Sequence, residues 1–303
     1  MNLVHVKGNT YYIDAWETIP VYVKENRDCI LLDSGWHYER FDVEQTLLEN
    51  NLRPVGIIGT HLHTDHVGGH QFLRKKYKIP VALPTGEAGL GFNDLTLKSY
   101  LYIFTLEDVR TIDEIKAMRF TPDVLIGPED TEIEMAGVRF GIVHTPGHSP
   151  DHVSIMTPDE VLYLGDAMLS KDVMAVSKVP YYASVDLALQ SMEKLAGLSC
   201  MALAAHKGVD PDIKALAEYN IQQILERAER FHALVTEPMT LEDIIKKACS
   251  EMKLLSKQAF KVKLYERDIR SYIEYLADRG ALEAVCEGGR LYWVPCTLTK
   301  MLR

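Results

Sequence analysis

Residues 61–66 read His61-Leu62-His63-Thr64-Asp65-His66, directly after the apolar run Val55, Gly56, Ile57, Ile58, Gly59. Imidazole nitrogen and carboxylate oxygen are the donors that zinc and similar divalent ions take. The apolar run reads as a buried strand that delivers His61 onto a loop. A catalytic metal needs about three protein ligands and an open position, so this one loop offers most of the ligands for two such sites. A lone His-x-His on a loop is usually solvated polar sequence. Three histidines and an aspartate at fixed offsets are poorly explained that way.

The 303 residues suffice for one large domain, or for a large and a small one. Hydrophobic residues make up 47% and charged residues 25%, as in ordinary globular proteins. No apolar run has the length of a membrane span. Met1-Asn2-Leu3-Val4-His5-Val6-Lys7 lacks the basic-then-apolar layout of a signal peptide, so a cytoplasmic location is expected. Cys29, Cys200, Cys249, Cys286 and Cys296 are scattered and odd in number, which fits reduced thiols. The absence of Cys-x-x-Cys argues against a cysteine-based zinc site.

The net charge of −10 is uneven: 18 basic and 30 acidic residues precede position 213, and 15 basic and 13 acidic follow. An acidic main body disfavours a nucleic-acid substrate without excluding one. Lys246, Lys247, Lys253, Lys257, Lys261 and Lys263 read as a solvated helix face and loop.

Apolar or alternating runs predict strands at Tyr11–Ile13, Val21–Val23, Cys29–Leu32, Val55–Thr60 and Ile79–Leu83. Strand signals return at Thr131–Met135, Val138–His144, Val153–Met156, Val161–Leu164 and Cys200–Ala205. Helical spacing covers Phe41–Asn50, a run from Gly69 to Tyr77, and Val185–Gly197. Residues 84–125 read as two helices, Leu90–Thr105 and Leu106–Phe120, inserted over the strand-rich core as a lid or a packed layer. After 212 come three helices (Ala217–Val235, one opening at Thr240, and Tyr265–Asp278) and a hairpin around Glu287-Gly288-Gly289. That order is the winged-helix order. The expected division is a catalytic region 1–212 and a winged-helix-like region 213–303.

Three further candidate ligands each follow a strand. In Val143-His144-Thr145-Pro146-Gly147-His148-Ser149-Pro150-Asp151-His152, Pro-Gly sets a sharp turn that carries His148. His148 is therefore the expected ligand, with His144 and His152 supporting it or touching substrate. Leu164-Gly165-Asp166 ends an apolar run in a carboxylate, which can bridge two metals as neutral imidazole cannot. Ala205-His206 ends another strand.

The order His-x-His-x-Asp-His, Thr-Pro-Gly-His, Gly-Asp and a late His resembles the metallo-β-lactamase-fold hydrolase superfamily, and Leu32-Asp33-Ser34-Gly35 resembles its first motif. The resemblance spans about residues 30–210. It implies an α+β fold, the four-layer αββα sandwich, with metal loops along one edge. It also implies that His61, His63 and His148 hold one metal, that Asp65, His66 and His206 hold the other, and that Asp166 bridges them. Asp33 would support the loop. Asp151 and Ala205 stand where relatives often carry glycine; neither change removes a ligand. With the C-terminal region, the chain is also similar to a narrower, glyoxalase II-like branch that ends in a winged helix. Some winged-helix members cleave single-stranded RNA.

Two divalent ions, zinc first and manganese or iron also accepted by such ligands, would share a water and lower its pKa towards about 7. The expected activity is attack of that hydroxide on an ester, thioester or lactone of a small molecule. Asp65 would orient the hydroxide, and His152 would meet a developing oxyanion. A metal-dependent ribonuclease or phosphodiesterase is the alternative. A winged-helix regulator with a ligand-sensing metal domain is the non-enzyme reading. No membrane partner is expected, and homodimerisation stays open.

Overall fold

The computed structural model describes residues 1–296; the end of the expected winged-helix-like region, 297–303, lies outside the described residues. The first of two central sheets runs β1 (Asn2–Lys7), β2 (Thr10–Asp14), β3 (Thr18–Val23), β4 (Asp28–Leu32), β5 (Arg53–Ile58), β6 (Val81–Pro84) and β7 (Val124–Ile126), neighbours in that order. β1 to β4 pair antiparallel, and β4 to β7 pair parallel. The second sheet holds β8 (Glu132–Met135), β9 (Val138–His144), β10 (Val153–Met156), β11 (Val161–Tyr163), β12 (Met201–Leu203) and β13 (Val209–Asp210), again in sequence order. Parallel neighbours need crossovers. Helices Arg40–Glu49, His70–Tyr77 and Val185–Ala196 supply them between β4 and β5, β5 and β6, and β11 and β12.

Period-two alternation assigns the layers. In β4, Cys29 and Leu31 face the helices, while Ile30 and Leu32 face the second sheet and join Phe140, Ile155 and Tyr163. In β11, Val161 and Tyr163 point between the sheets, and Leu162 points out to Met192 and Leu216. A fully buried side chain of this kind contributes about 1.5–3 kcal/mol. Both faces of both sheets are therefore covered, which is the expected αββα sandwich.

Residues 84–125 form four short helices, Thr85–Leu90, Asp94–Tyr100, Leu106–Thr111 and Asp113–Ala117, rather than two long ones. Asn93 and Thr105 each close a capping box and so restart the helix. Leu97, Leu101, Phe104, Val109 and Ile115 sink into the core outside the first sheet.

After residue 212 come helices Ile213–Leu234, Leu241–Glu251 and Ala259–Asp278, then the hairpin β14 (Leu282–Glu287) and β15 (Arg290–Pro295). Gly288 and Gly289 turn it with φ of 56° and 76°, as a two-residue hairpin turn requires. Two of these helices start earlier than their apolar periodicity suggests. Ile213, Ile224, Phe231, Ile269 and Tyr272 share one apolar cluster with Leu162 and Ala202 of the second sheet. Leu264 packs instead against the cluster outside the first sheet. The last helix therefore touches both layers at the edge where the candidate ligands emerge. Among the described residues, no helix is long and apolar enough to cross a membrane.

Candidate metal centre

The loop after β5 carries His61 and His63 and runs into the one-turn helix Thr64–Val67, which carries Asp65 and His66; the turns after β9, β11 and β12 carry His148, Asp166 and His206. They converge as two groups, His61, His63, His148 and Asp166, and Asp65, His66, Asp166 and His206. Within each group the ligand-type atoms lie within 4.8 Å of one another. Asp166 belongs to both.

Nε2 of His61 and Nε2 of His148 lie 2.9 and 2.8 Å from Nδ1 of His63. A tetrahedral zinc spaces its nitrogens about 3.3 Å apart, so a small opening of the three rings would seat an ion. In the other group, His66 Nε2 and Asp166 Oδ1 are buried without a hydrogen-bond partner among the described residues. They stand 3.4 Å apart. Buried orphan atoms are rare because desolvation without a partner is unfavourable. Both aim into the group, and the donor set fits a pair of divalent cations.

Two glycines set the turns. Gly147 has φ of 138°, and a Cβ there would lie 2.2 Å from the Ala188 nitrogen. Gly165 has φ of 52°, and its Cβ would lie 2.6 Å from His152 Nε2.

Burial, reinforced by neighbouring imidazoles, holds His61 and His63 well below the usual histidine pKa and His148 down to about 4. The rings are therefore neutral, as ligation requires. Burial also opposes charge on His66 and His206, but the carboxylates around them outweigh it and hold both well above the usual value. Burial would raise Asp166, yet His206, His66 and His148 keep it ionised. Burial does raise Asp65, with Asp166 adding to it against His66 and His206.

A second layer orients these groups. Asp33 Oδ2 accepts from Nδ1 of His66 at 2.7 Å, from the Tyr163 hydroxyl at 2.9 Å and from the Thr60 hydroxyl at 2.8 Å. It leaves His66 Nε2 facing the site. Glu17 Oε2 lies 2.7 Å from Nδ1 of His206. Burial pushes the Glu17 carboxyl up to about 7 against the pull of that histidine. Glu87 ties the ligand loops together: it accepts from the Leu62 and Asp151 amides at 2.9 Å and from the Ser149 hydroxyl at 2.7 Å. The Tyr100 hydroxyl lies 2.6 Å from Nε2 of His63. Glu17, Glu87 and Tyr100 carry no local sequence signal.

His152 differs from expectation. It is fully buried, its Nδ1 lies 2.8 Å from the Thr145 hydroxyl, and its Nε2 accepts from the Asp166 amide at 3.1 Å. Both nitrogens are engaged behind Asp166, so neither is free to meet an oxyanion. His144 stands apart, with its Nε2 2.9 Å from the Asp130 carbonyl oxygen.

A 250 Å³ cavity opens onto His63, Asp65, His148 and Asp166. Leu101, Phe104, Ile115 and Met118 form one wall; Phe260, Leu264, Arg267 and Asp268 of the last long helix form another. Residues 84–125 thus cover one side of the cavity and the last long helix the other. A larger groove of 630 Å³ beside Lys178 and Arg230 includes none of the candidate ligands.

Comparison with known proteins agrees with this architecture. A probable metallo-hydrolase of Bacillus subtilis, YqgX, is 28% identical over 167 residues, 52% of this chain and 71% of its own. Glyoxylase B2 of Dictyostelium discoideum is 25% identical over 50% of this chain and 51% of its own. A hydroxyacylglutathione hydrolase of Pectobacterium carotovorum is 28% identical over 48% and 45%. This chain thus spans about half the length of the last two. A metallo-beta-lactamase family protein of Thermus thermophilus has the same fold with a TM-score of 0.74 at 22% identity, over 95% of this chain and 99% of that one. The metallo-beta-lactamase superfamily model matches residues 16–205, and the chain belongs to that superfamily of hydrolases.

Proposed function

We propose that the protein is a dinuclear metal-dependent hydrolase of a small-molecule thioester or ester. The observation that carries this reading is the pair of ligand groups sharing Asp166 at the floor of one apolar-walled cavity. Similarity to a hydroxyacylglutathione hydrolase and to an atrochrysone carboxyl ACP thioesterase of Aspergillus chevalieri, 25% identical over 75% of this chain, supports the thioester class.

Bound by these residues, two divalent ions would supply Lewis acidity and a water acid enough to lose its proton near neutral pH. His61, His63 and His148 would hold one ion, Asp65, His66 and His206 the other, and Asp166 both. Asp65 faces the cavity, with Oδ2 3.8 Å from His66 Nε2 and 4.0 Å from His206 Nε2. Its carboxylate orients the attacking water and takes up its proton. Leu101, Phe104 and Phe260 exclude bulk water and take the acyl portion. A cavity of 250 Å³ is below the usual 300–1,000 Å³ of drug-sized pockets, which favours a small acyl group over a polymer.

The test is metal content by elemental analysis, paired with hydrolysis of a thioester, a lactone, an aryl phosphodiester and single-stranded RNA. About two ions per chain, with thioester turnover abolished by Asp65→Asn, is the expected result. Turnover of RNA alone would transfer the assignment to a nuclease. A metal-free protein that stays inactive after zinc or manganese is added would overturn the reading.

A further inference from the structure

Beside His63 and His148, three aromatic and cationic groups from distant parts of the chain meet, two of them, Tyr181 and Arg267, in the lining of the same cavity. His63 is ringed by Tyr100 from the 84–125 segment: the hydroxyl lies 2.6 Å from Nε2, and the rings stack at 18° with centroids 6.0 Å apart. His148 Nδ1 lies 3.1 Å from the carbonyl oxygen of Tyr181. Between the tyrosines sits Arg267 of helix Ala259–Asp278. Its guanidinium carbon is 3.8 Å from the Tyr181 ring centroid and 4.7 Å from that of Tyr100, and it hydrogen-bonds the Tyr181 hydroxyl. Arg267 is only 7% exposed.

We infer that Tyr100, Tyr181 and Arg267 form a clamp through which the C-terminal helix positions His63 and His148 as metal ligands. The inference rests on the dinuclear reading above. If His63 ligates through Nδ1, its ring proton stays on Nε2, where Tyr100 Oη accepts it. The Tyr181 carbonyl accepts the Nδ1 proton of His148 and leaves Nε2 free for the ion. Such outer partners fix tautomer and ring plane, and losing one typically weakens metal binding about 10–100-fold. Arg267 makes no contact with either ligand nitrogen. It acts by holding the two tyrosines, since a guanidinium over an aromatic face is attracted to it. Tyr100, Tyr181 and Arg267 are positioning residues, and the C-terminal helix is part of the catalytic unit.

The test is zinc titration of metal-free full-length protein against a chromophoric chelator, for wild type, Tyr100→Phe, Arg267→Met and the double variant. In both single variants one of the two zinc affinities should fall about tenfold, and the other should stay within about twofold. The double variant should be no worse than about the weaker single one, because both lesions break the same path. Unchanged affinities in both single variants would overturn the clamp. So would equal weakening of both ions in Tyr100→Phe, which keeps the ring and its packing. A rise in KM for Arg267→Met with unchanged zinc affinity would assign Arg267 to the substrate instead. Should Arg267→Met fail to fold, Tyr100→Phe decides alone. A wild type that binds two ions yet hydrolyses nothing in the panel overturns the functional reading and leaves the clamp standing.

Discussion

Glu17 Oε2 lies 2.7 Å from Nδ1 of His206, an ion-pair contact, and neither oxygen of the carboxylate has a hydrogen-bond partner among the described residues. A buried carboxylate with one contact has its energetic role in that contact. It holds the His206 ring so that Nε2 faces Asp166 at 3.2 Å. Glu17→Ala should weaken one of the two ions about tenfold or more, while Glu17→Gln, which keeps an acceptor oxygen, should lose less. The readout is zinc retained per chain after gel filtration at limiting free zinc. Equal retention by wild type and Glu17→Ala would remove Glu17 from the centre.

Glu87 makes a different kind of prediction, one about the metal-free fold. Its two oxygens receive three donors, from Leu62, Ser149 and Asp151, and so fasten the loop of His61 and His63 to the loop of His148. Glu87→Gln replaces one acceptor with an NH2 group that faces an N–H or O–H donor. A buried donor left unmatched costs about 1–3 kcal/mol. Urea unfolding of metal-free protein should show a loss of that size. A change below about 0.5 kcal/mol, the usual range of surface substitutions, would mean that the loops keep their register without it.

The candidate ligands were legible because each sits in a short string just after an apolar strand: His61 to His66 after β5, His148 on a Pro-Gly turn, Asp166 and His206 at strand ends. Strand periodicity and turn chemistry are local, so a sequence carries them openly. What supports the ligands is not local. Glu17 reaches His206 across 189 positions of chain, and Arg267 reaches Tyr100 across 167. A single glutamate or a helical arginine looks the same whether it faces water or a histidine. His152 misled for a related reason. Its spacing from His148 was visible, but the Thr145 hydroxyl and Asp166 amide that occupy its nitrogens meet it only through tertiary placement. The breaks in the 84–125 helices were partly readable, since Thr105-x-x-Asp108 is a helix-start pattern. β1 was missed because no residue of this edge strand is fully buried, so it lacks a buried apolar run.

His70 offers a test of pH dependence that stands outside the ligand groups. The ring is fully buried against Phe120, with Nδ1 2.6 Å from the Ser34 hydroxyl and Nε2 unpartnered among the described residues. Burial outweighs the pull of Asp33 and pushes its pKa from 6.5 down to about 4. The folded state therefore binds this proton less readily than the unfolded chain. Its contribution to stability is full above pH 6.5 and falls with pH until about 4, below which it is lost. Between pH 7 and pH 5 the loss amounts to about 2 kcal/mol at 1.36 kcal/mol per unit. Wild type should lose about that much more stability over this interval than His70→Gln, which has no proton to gain. Denaturant unfolding of both proteins at the two pH values, at equal zinc, gives the difference directly because changes at the metal ligands are common to both. A stability gap that stays constant from pH 7 to pH 5 would show that the buried ring is not the acid-sensitive element.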